Sequence, residues 1–291
     1  MTSLPTAIKS RFTLFGSNLL LLGLLLHCHT SAQSLLWRIS GNNLQSSSYL
    51  YGTIHLTDAR IFEWKDSVYK RLDQCQAFAA ELDLSMETML EIAGKMLLPE
   101  GVTLHDRYTP EEYELIRQAI RSCSGHELSM FDRIKPPALI ALCFTDRKRG
   151  DLDATVDELL YNHAASMAIT TYAIETVEEQ ITLFDKIPDN YVLEYFKNIE
   201  AQDAEFEKMI RCYRNANLDS LWILIQEEES GSLLNEELIR LRNFRMTDRI
   251  IPMISRQSVF VAIGCGHLPG DDGVIALLRR EGYMVEPVFI W

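Results

Sequence analysis

The sequence predicts an α/β fold: a mostly parallel central sheet built from N- and C-terminal βαβ units, with a helical cap inserted between them. Three observations carry this reading. Short β-branched and aromatic runs gather at both ends of the 291-residue chain. The middle is dominated by helical periodicity. Each end also holds a strand, a helix and a strand in close succession, a pattern that normally crosses over right-handed into a parallel sheet.

The elements follow in order. Leu35–Ile39 and Ser48–Ile54 read as strands joined at Gly41-Asn42-Asn43, a turn signal. Ile61, Trp64, Val68, Leu72 and Cys75 recur at helical spacing, and Ala77–Leu84 follows as a strand. From about 86 to 166 the pattern is helical. Thr109-Pro110-Glu111-Glu112 makes a capping box with proline at the first helical position, and Asp153–Met167 reads as a further helix. Ile169–Ile174 is a strand. A second helical block runs from about 176 to 255, with breaks near Pro188, Asn215–Asn217 and Gly231. Strand Ser258–Ile263, helix Asp272–Arg280 ended by Gly282, and strand Met284–Ile290 close the chain. The sheet therefore draws strands from both ends of the chain, which must meet in one core.

Composition limits the function classes. The chain is 47% apolar and 24% charged, which suits a globular protein. Lys+Arg is 28 against 41 Asp+Glu, a net charge of −13, and this argues against broad phosphate-driven binding to nucleic acid. Residues 1–32 read as a signal peptide or, uncleaved, an N-terminal anchor. Lys9 and Arg11 precede an apolar run from Phe12 to Leu26, and Thr30 and Ala32 place small residues before a cut after Ala32. The run of about 15 residues falls short of the roughly 20 that a spanning helix needs. The expectation is an exported α/β domain over 33–291, periplasmic or extracellular, touching a membrane only through an uncleaved leader. Behind the leader stand Cys75, Cys123, Cys143, Cys212 and Cys265. No CxxC pair is present, so zinc-ribbon and thioredoxin readings fail. Cys123–Cys143 is a candidate disulfide, and the odd count leaves a thiol free or bridged to another chain.

The chemistry is expected where strands end, because open parallel sheets bind ligands outside the carboxyl ends of their strands. Three such ends carry Gly52-Thr53-Ile54-His55, Glu81-Leu82-Asp83 and Gly264-Cys265-Gly266-His267. Two Gly-x-x-His segments and the intervening Glu81 supply donors for a divalent metal with open positions for water and substrate. Each residue also has an ordinary reading, as a turn or hydrogen-bonded histidine or as a surface charge. Glu175 ends the Ile169–Ile174 strand, and Glu178 and Glu179 read as helix-start carboxylates. Arg242, Arg245 and Arg249 share a helical face beside Asn243. That stripe is either solvated or places Arg242 or Arg245 as a clamp for a carboxylate or oxyanion. Cys265 is not favoured as a nucleophile.

These residues, in order, resemble the TraB/GumN family, which includes the Tiki-type membrane-tethered proteases. The landmarks are Leu36-Trp37-Arg38-Ile39-Ser40, Tyr51-Gly52-Thr53-Ile54-His55, Ala80-Glu81-Leu82-Asp83, Asp151-Leu152-Asp153, Ile174-Glu175-Thr176 with Gln180, Arg242-Asn243, and Gly264 through Gly270. The resemblance implies a metal-dependent, peptidase-like hydrolase acting on an exported peptide or protein. It implies His55, Glu81 and His267 as ligands of a manganese, cobalt or zinc ion. Glu175 is expected as general base or fourth ligand, and Arg242 as an oxyanion or carboxylate anchor, with Asn243 beside it in the catalytic group. Two alternatives stay open: a metal-independent hydrolase using the same His and Glu residues, and a non-enzymatic protein that sequesters a peptide.

Overall fold

A computed structural model describes residues 34–146, 152–227 and 239–290. The expected leader over 1–32, Asp151 and the expected break near Gly231 lie outside the described residues.

The chain opens with a hairpin. Strand β1 (Leu36–Gly41) pairs antiparallel with β2 (Ser48–Thr53), placing Leu36 opposite Tyr51. Gly41, Asn42 and Asn43 all take positive φ at the turn, the backbone region that glycine and asparagine reach most cheaply. A 3-10 turn at Ala59–Phe62 leads into α1 (Lys65–Leu72), which buries Val68 and Leu72. Strand β3 (Ala77–Ala80) is fully buried.

The helices α2 (Met86–Lys95), α3 (Pro110–Ser124), α4 (Pro136–Asp146) and α5 (Val156–Ser166) come next, before strand β4 (Thr170–Ala173). The Thr109–Glu112 capping box forms at the start of α3, with a second at Thr155–Glu158 on α5. Beyond β4 lie α6 (Val177–Phe184), α7 (Asp189–Lys197), α8 (Ile199–Arg214), α9 (Leu218–Glu227) and α10 (Leu241–Ile254). Strand β5 (Val259–Gly264), α11 (Val274–Arg280) and β6 (Tyr283–Val288) complete the fold. Gly282 takes φ +87° just past α11, the left-handed stop its position predicts.

The six-stranded sheet has the order β4-β3-β5-β2-β1-β6. Strands β4, β3, β5 and β2 run parallel, and only the β1 pairings are antiparallel. The α/β class with a mostly parallel sheet is therefore correct, and the two chain ends do meet. The βαβ units differ from the simplest expectation, because neither joins neighbours. Strand β5 sits between β2 and β3, and the β5–α11–β6 crossover passes over β2 and β1. Strand β3 stops at Ala80, before the expected Leu84. Beyond it Glu81 turns its carboxylate to Gly264 and Asp83 accepts from Ser85, the N-cap of α2, so the segment leaves the ladder to begin a helix.

Among the described residues two apolar clusters form. One spans both faces of the sheet, with Leu50, Phe78, Phe260 and Val261 at its centre and Val156, Leu160 and Ala164 of α5 packed in. The other gathers α3, α4 and α7 through Ile116, Ile120, Leu139, Val192 and Phe196. A Cys123–Cys143 disulfide joins α3 to α4 inside it, with a Cα–Cα distance of 5.5 Å. The helices between β3 and β4 are thus shared: α5 serves the sheet, and α7, from beyond β4, completes the second cluster. Cys75, Cys212 and Cys265 are free thiols. Among the described residues no helix is long and apolar enough to cross a membrane.

Candidate active site

The carboxyl ends of the four parallel strands bring the expected residues to one edge. His55 lies two residues past β2, Glu81 directly past β3, Glu175 two past β4 and His267 three past β5. Arg242 and Asn243 come from the first turn of α10.

Arg242 ties the carboxylates together. Its Nη2 donates to Glu81 Oε2 and to Glu175 Oε2, each at 2.6 Å, and its Nε donates to Glu175 Oε1 at 2.9 Å. Gln180 Nε2 spans the same two oxygens at 3.2 and 3.1 Å. Glu81 Oε1 accepts from the Gly264 backbone N–H at 2.6 Å. Gly264 permits that approach, since a Cβ there would stand 3.1 Å from the same oxygen. Burial pushes the Glu81 pKa up, but Arg242, the two histidines and the Gly264 N–H pull harder, down to about 2. The Arg242 guanidinium loses solvation on burial, yet Glu175 and Glu81 raise its proton affinity on balance. Glu81 and Arg242 are therefore both charged throughout ordinary pH.

His267 is the mirror case. Asn243 Nδ2 donates to the Asp272 carbonyl at 2.8 Å, which leaves Asn243 Oδ1 facing His267 Nδ1 at 2.6 Å. An amide oxygen only accepts, so Nδ1 carries the hydrogen and Nε2 keeps its lone pair. Burial, then Arg242, lowers the imidazole to about 4, so the ring is neutral. That unprotonated Nε2 lies 3.8 Å from Glu81 Oε1, too far for a hydrogen bond. Two acceptors therefore face each other across a short gap.

His55 is open, with 64% of its side-chain surface accessible. Its Nδ1 meets Asp157 Oδ2 at 3.0 Å, and the Asp157 charge raises its proton affinity. His55 also lies within electrostatic reach of Glu81, Arg242 and His267, since each affects or is affected by its charge. Among the described residues, no group of three or more His, Cys, Asp or Glu side chains is assembled closely enough to hold a metal ion. The donors fit a metal in kind, as two imidazoles with a carboxylate between them. They are not drawn together as a finished cage, and Glu81 spends its oxygens on Arg242, Gln180 and Gly264.

Glu175 has a side chain of 0% exposure and is held by Arg242. Arg242 in turn pairs with both Glu81 and Glu175. Of the rest of the basic stripe, Arg249 donates to the Ile174 carbonyl and to Glu179, whereas Arg245 only comes within 4.0 Å of Glu179 and its Nε makes no hydrogen bond to the described residues. Glu179 caps α6 as its position predicts, and Glu178 pairs with Lys95. Burial pushes the Cys265 thiol up to about 12, which holds it in the protonated form near neutrality. Sequence reasoning missed Asp157 altogether and named Gln180 only as a landmark. Both sit in first or second turns of helices, where polar residues are ordinary, and only the tertiary fold turns them to the site.

Fold and site define a class: an α/β protein whose parallel strands present histidine, carboxylate and arginine side chains at their carboxyl edge. A sequence model of the TraB/PrgY/gumN family matches residues 35–287. The chain belongs to the TraB/PrgY/gumN family. Among curated proteins it is similar to Metalloprotease TIKI2 of Danio rerio, at 25% identity over 87% of this chain and 60% of that protein. Metalloprotease TIKI1 of Homo sapiens is 24% identical over 87% of this chain and 61% of its own length. The Metalloprotease TIKI homolog of Amphimedon queenslandica is 24% identical over 89% and 62%. The chain thus spans about three fifths of the length of these relatives. No solved structure matches.

Proposed function

We propose that this protein is a metal-dependent, peptidase-like hydrolase acting on an exported peptide or protein. The observation that carries the reading is the gap between His267 Nε2 and Glu81 Oε1, two acceptors 3.8 Å apart with no proton to share. A bound cation would relieve that opposition, and His55 would be the third residue to hold it. In this reading His55, Glu81 and His267 hold one divalent ion, of which manganese, cobalt and zinc are the candidates. When bound, such an ion supplies Lewis acidity at the scissile carbonyl and a water acidic enough to ionise near neutrality. The names of the relatives support the same class.

The protein's own residues have separate tasks. Asn243 holds the His267 ring with its Nε2 lone pair turned toward Glu81. Arg242 keeps Glu81 ionised, and Glu175 holds Arg242 in place from its sealed position. In this reading the helical insertion over about 86–166, whose α3 and α4 lie in the second cluster, is the cap that sets substrate specificity. Export is part of the proposal, and the Cys123–Cys143 disulfide supports it, because such bridges persist in oxidising compartments.

The test is metal analysis of protein purified without chelator, together with peptidase assays of wild type, His55→Ala and His267→Ala. Bound metal near one equivalent, lost with activity in both variants, is the expected result. Wild type that retains no metal and variants that keep full activity would overturn it. The second reading is metal-independent hydrolysis by the same residues, favoured by the lack of an assembled three-ligand group among the described residues. Peptidase activity that survives exhaustive chelation would select it.

A further inference from the structure

Asp157 lies outside every role given so far. It sits at the second position of α5, where an acidic residue ordinarily faces solvent and favours the helix dipole. Here its side chain is only 10% exposed. Helix capping is already provided: Glu158 accepts from the Thr155 N–H at 2.8 Å, and Thr155 accepts in return from the Glu158 N–H. Asp157 Oδ2 takes none of those groups, and no described group, His55 included, completes a hydrogen bond to it. What it faces is His55 Nδ1, at 3.0 Å. A buried carboxylate oxygen without a partner is costly, and that cost is offset only when Nδ1 carries a hydrogen.

We propose that Asp157 is the positioning residue of His55, holding the Nδ1–H form and turning Nε2 outward to the site. This rests on the hydrolase reading for its purpose, though not for its geometry. The two histidines then share one plan. Asn243 holds His267 by Nδ1, Asp157 holds His55 by Nδ1, and each ring offers Nε2. A ligating or proton-accepting imidazole is commonly fixed by such a partner on its other nitrogen. The partners differ in charge. A neutral amide serves the buried ring, and a carboxylate serves the open one, where the attraction must hold a ring that solvent would otherwise let rotate.

The test reads the ring directly, in chelator-treated protein labelled with ¹⁵N-histidine. His55 is assigned by the signal lost in His55→Gln. Above its titration, wild-type His55 is expected as the Nδ1–H tautomer. Asp157→Ala should shift it to the Nε2–H form usual for a free imidazole, and Asp157→Asn, which keeps an acceptor oxygen, should restore Nδ1–H. Glu158→Ala disturbs the same helix start and should leave the His55 tautomer unchanged. Asp157→Ser gives the same reading as the alanine variant should the latter not fold. If peptidase activity is found, Asp157→Ala should lower kcat roughly 10- to 100-fold with a smaller change in KM, and Asp157→Asn should recover part of it. An unchanged His55 tautomer in the alanine or serine variant overturns the positioning role. A protein without peptidase activity whose tautomer shifts as expected overturns only the hydrolase reading.

Discussion

Replacing Arg242 with methionine isolates the electrostatics of the site. The guanidinium Nη2 lies 2.6 Å from one oxygen of Glu81 and 2.6 Å from one of Glu175, so those oxygens are no more than about 5.2 Å apart. With the arginine gone, two charges at that separation repel by about 3 kcal/mol at an effective dielectric of about 20. The site can escape by taking up a proton. At pH 7 that costs about 3.7 kcal/mol for a glutamate of ordinary pKa, so neither route is cheap. The expected loss of stability is therefore about 3 to 5 kcal/mol, the usual cost of removing one partner from a buried ion pair. At pH 5 proton uptake costs only about 1 kcal/mol, so the gap between wild type and variant should narrow by about 2 kcal/mol. Wild type does not share this relief, because Arg242 and its neighbours hold the Glu81 pKa down to about 2. Urea titrations of chelator-treated protein at pH 7 and pH 5 measure both differences. A variant within 1 kcal/mol of wild type at pH 7, or a deficit independent of pH, would refute the account of Arg242 as the charge that holds the two carboxylates.

Two further outcomes follow from the same geometry. The folded His267 pKa of about 4 lies below the unfolded value of about 6.5, so the unfolded chain binds the extra proton between them. Stability contributed by the neutral ring is full above about pH 6.5 and is lost toward pH 4, by up to about 3 kcal/mol, and His267→Gln should flatten that slope in urea melts without metal. The Cys123–Cys143 bridge closes a loop of 20 residues, worth about 3 kcal/mol in the chain-entropy treatment, so Cys123→Ser with Cys143→Ser should lower the thermal midpoint. Amide hydrogen exchange should then rise in α3, α4 and α7 more than in the sheet, and a uniform rise would contradict a separate second cluster.

Local rules made much of the fold legible. Capping chemistry marks the start of α3, helix-start carboxylates mark α6, and Gly282 ends α11, whereas the Thr155 box that caps α5, two residues past the expected start at Asp153, went unread. Caps depend on residues three or four apart. The Gly-Asn-Asn turn and the strand-rich ends were readable for the same reason. Strand order was not. That β5 separates β2 from β3 depends on apolar packing between segments some 200 residues apart, for which periodicity along one strand carries no signal.

The site divides along the same line. Residue types and their places after the strands announced His55, Glu81, Glu175 and His267, since a parallel sheet collects strand ends at one edge. Which nitrogen each imidazole offers, the sealing of Glu175 and the capture of Arg242 by two carboxylates were decided only by the tertiary structure. Asp157 shows why. On its own helix it is one more acid in a first turn, and it acquires a partner only because α5 packs beside the strand end that carries His55. Sequence spacing controls what a residue meets within its own element, whereas burial and partner choice are set by the elements that fold against it.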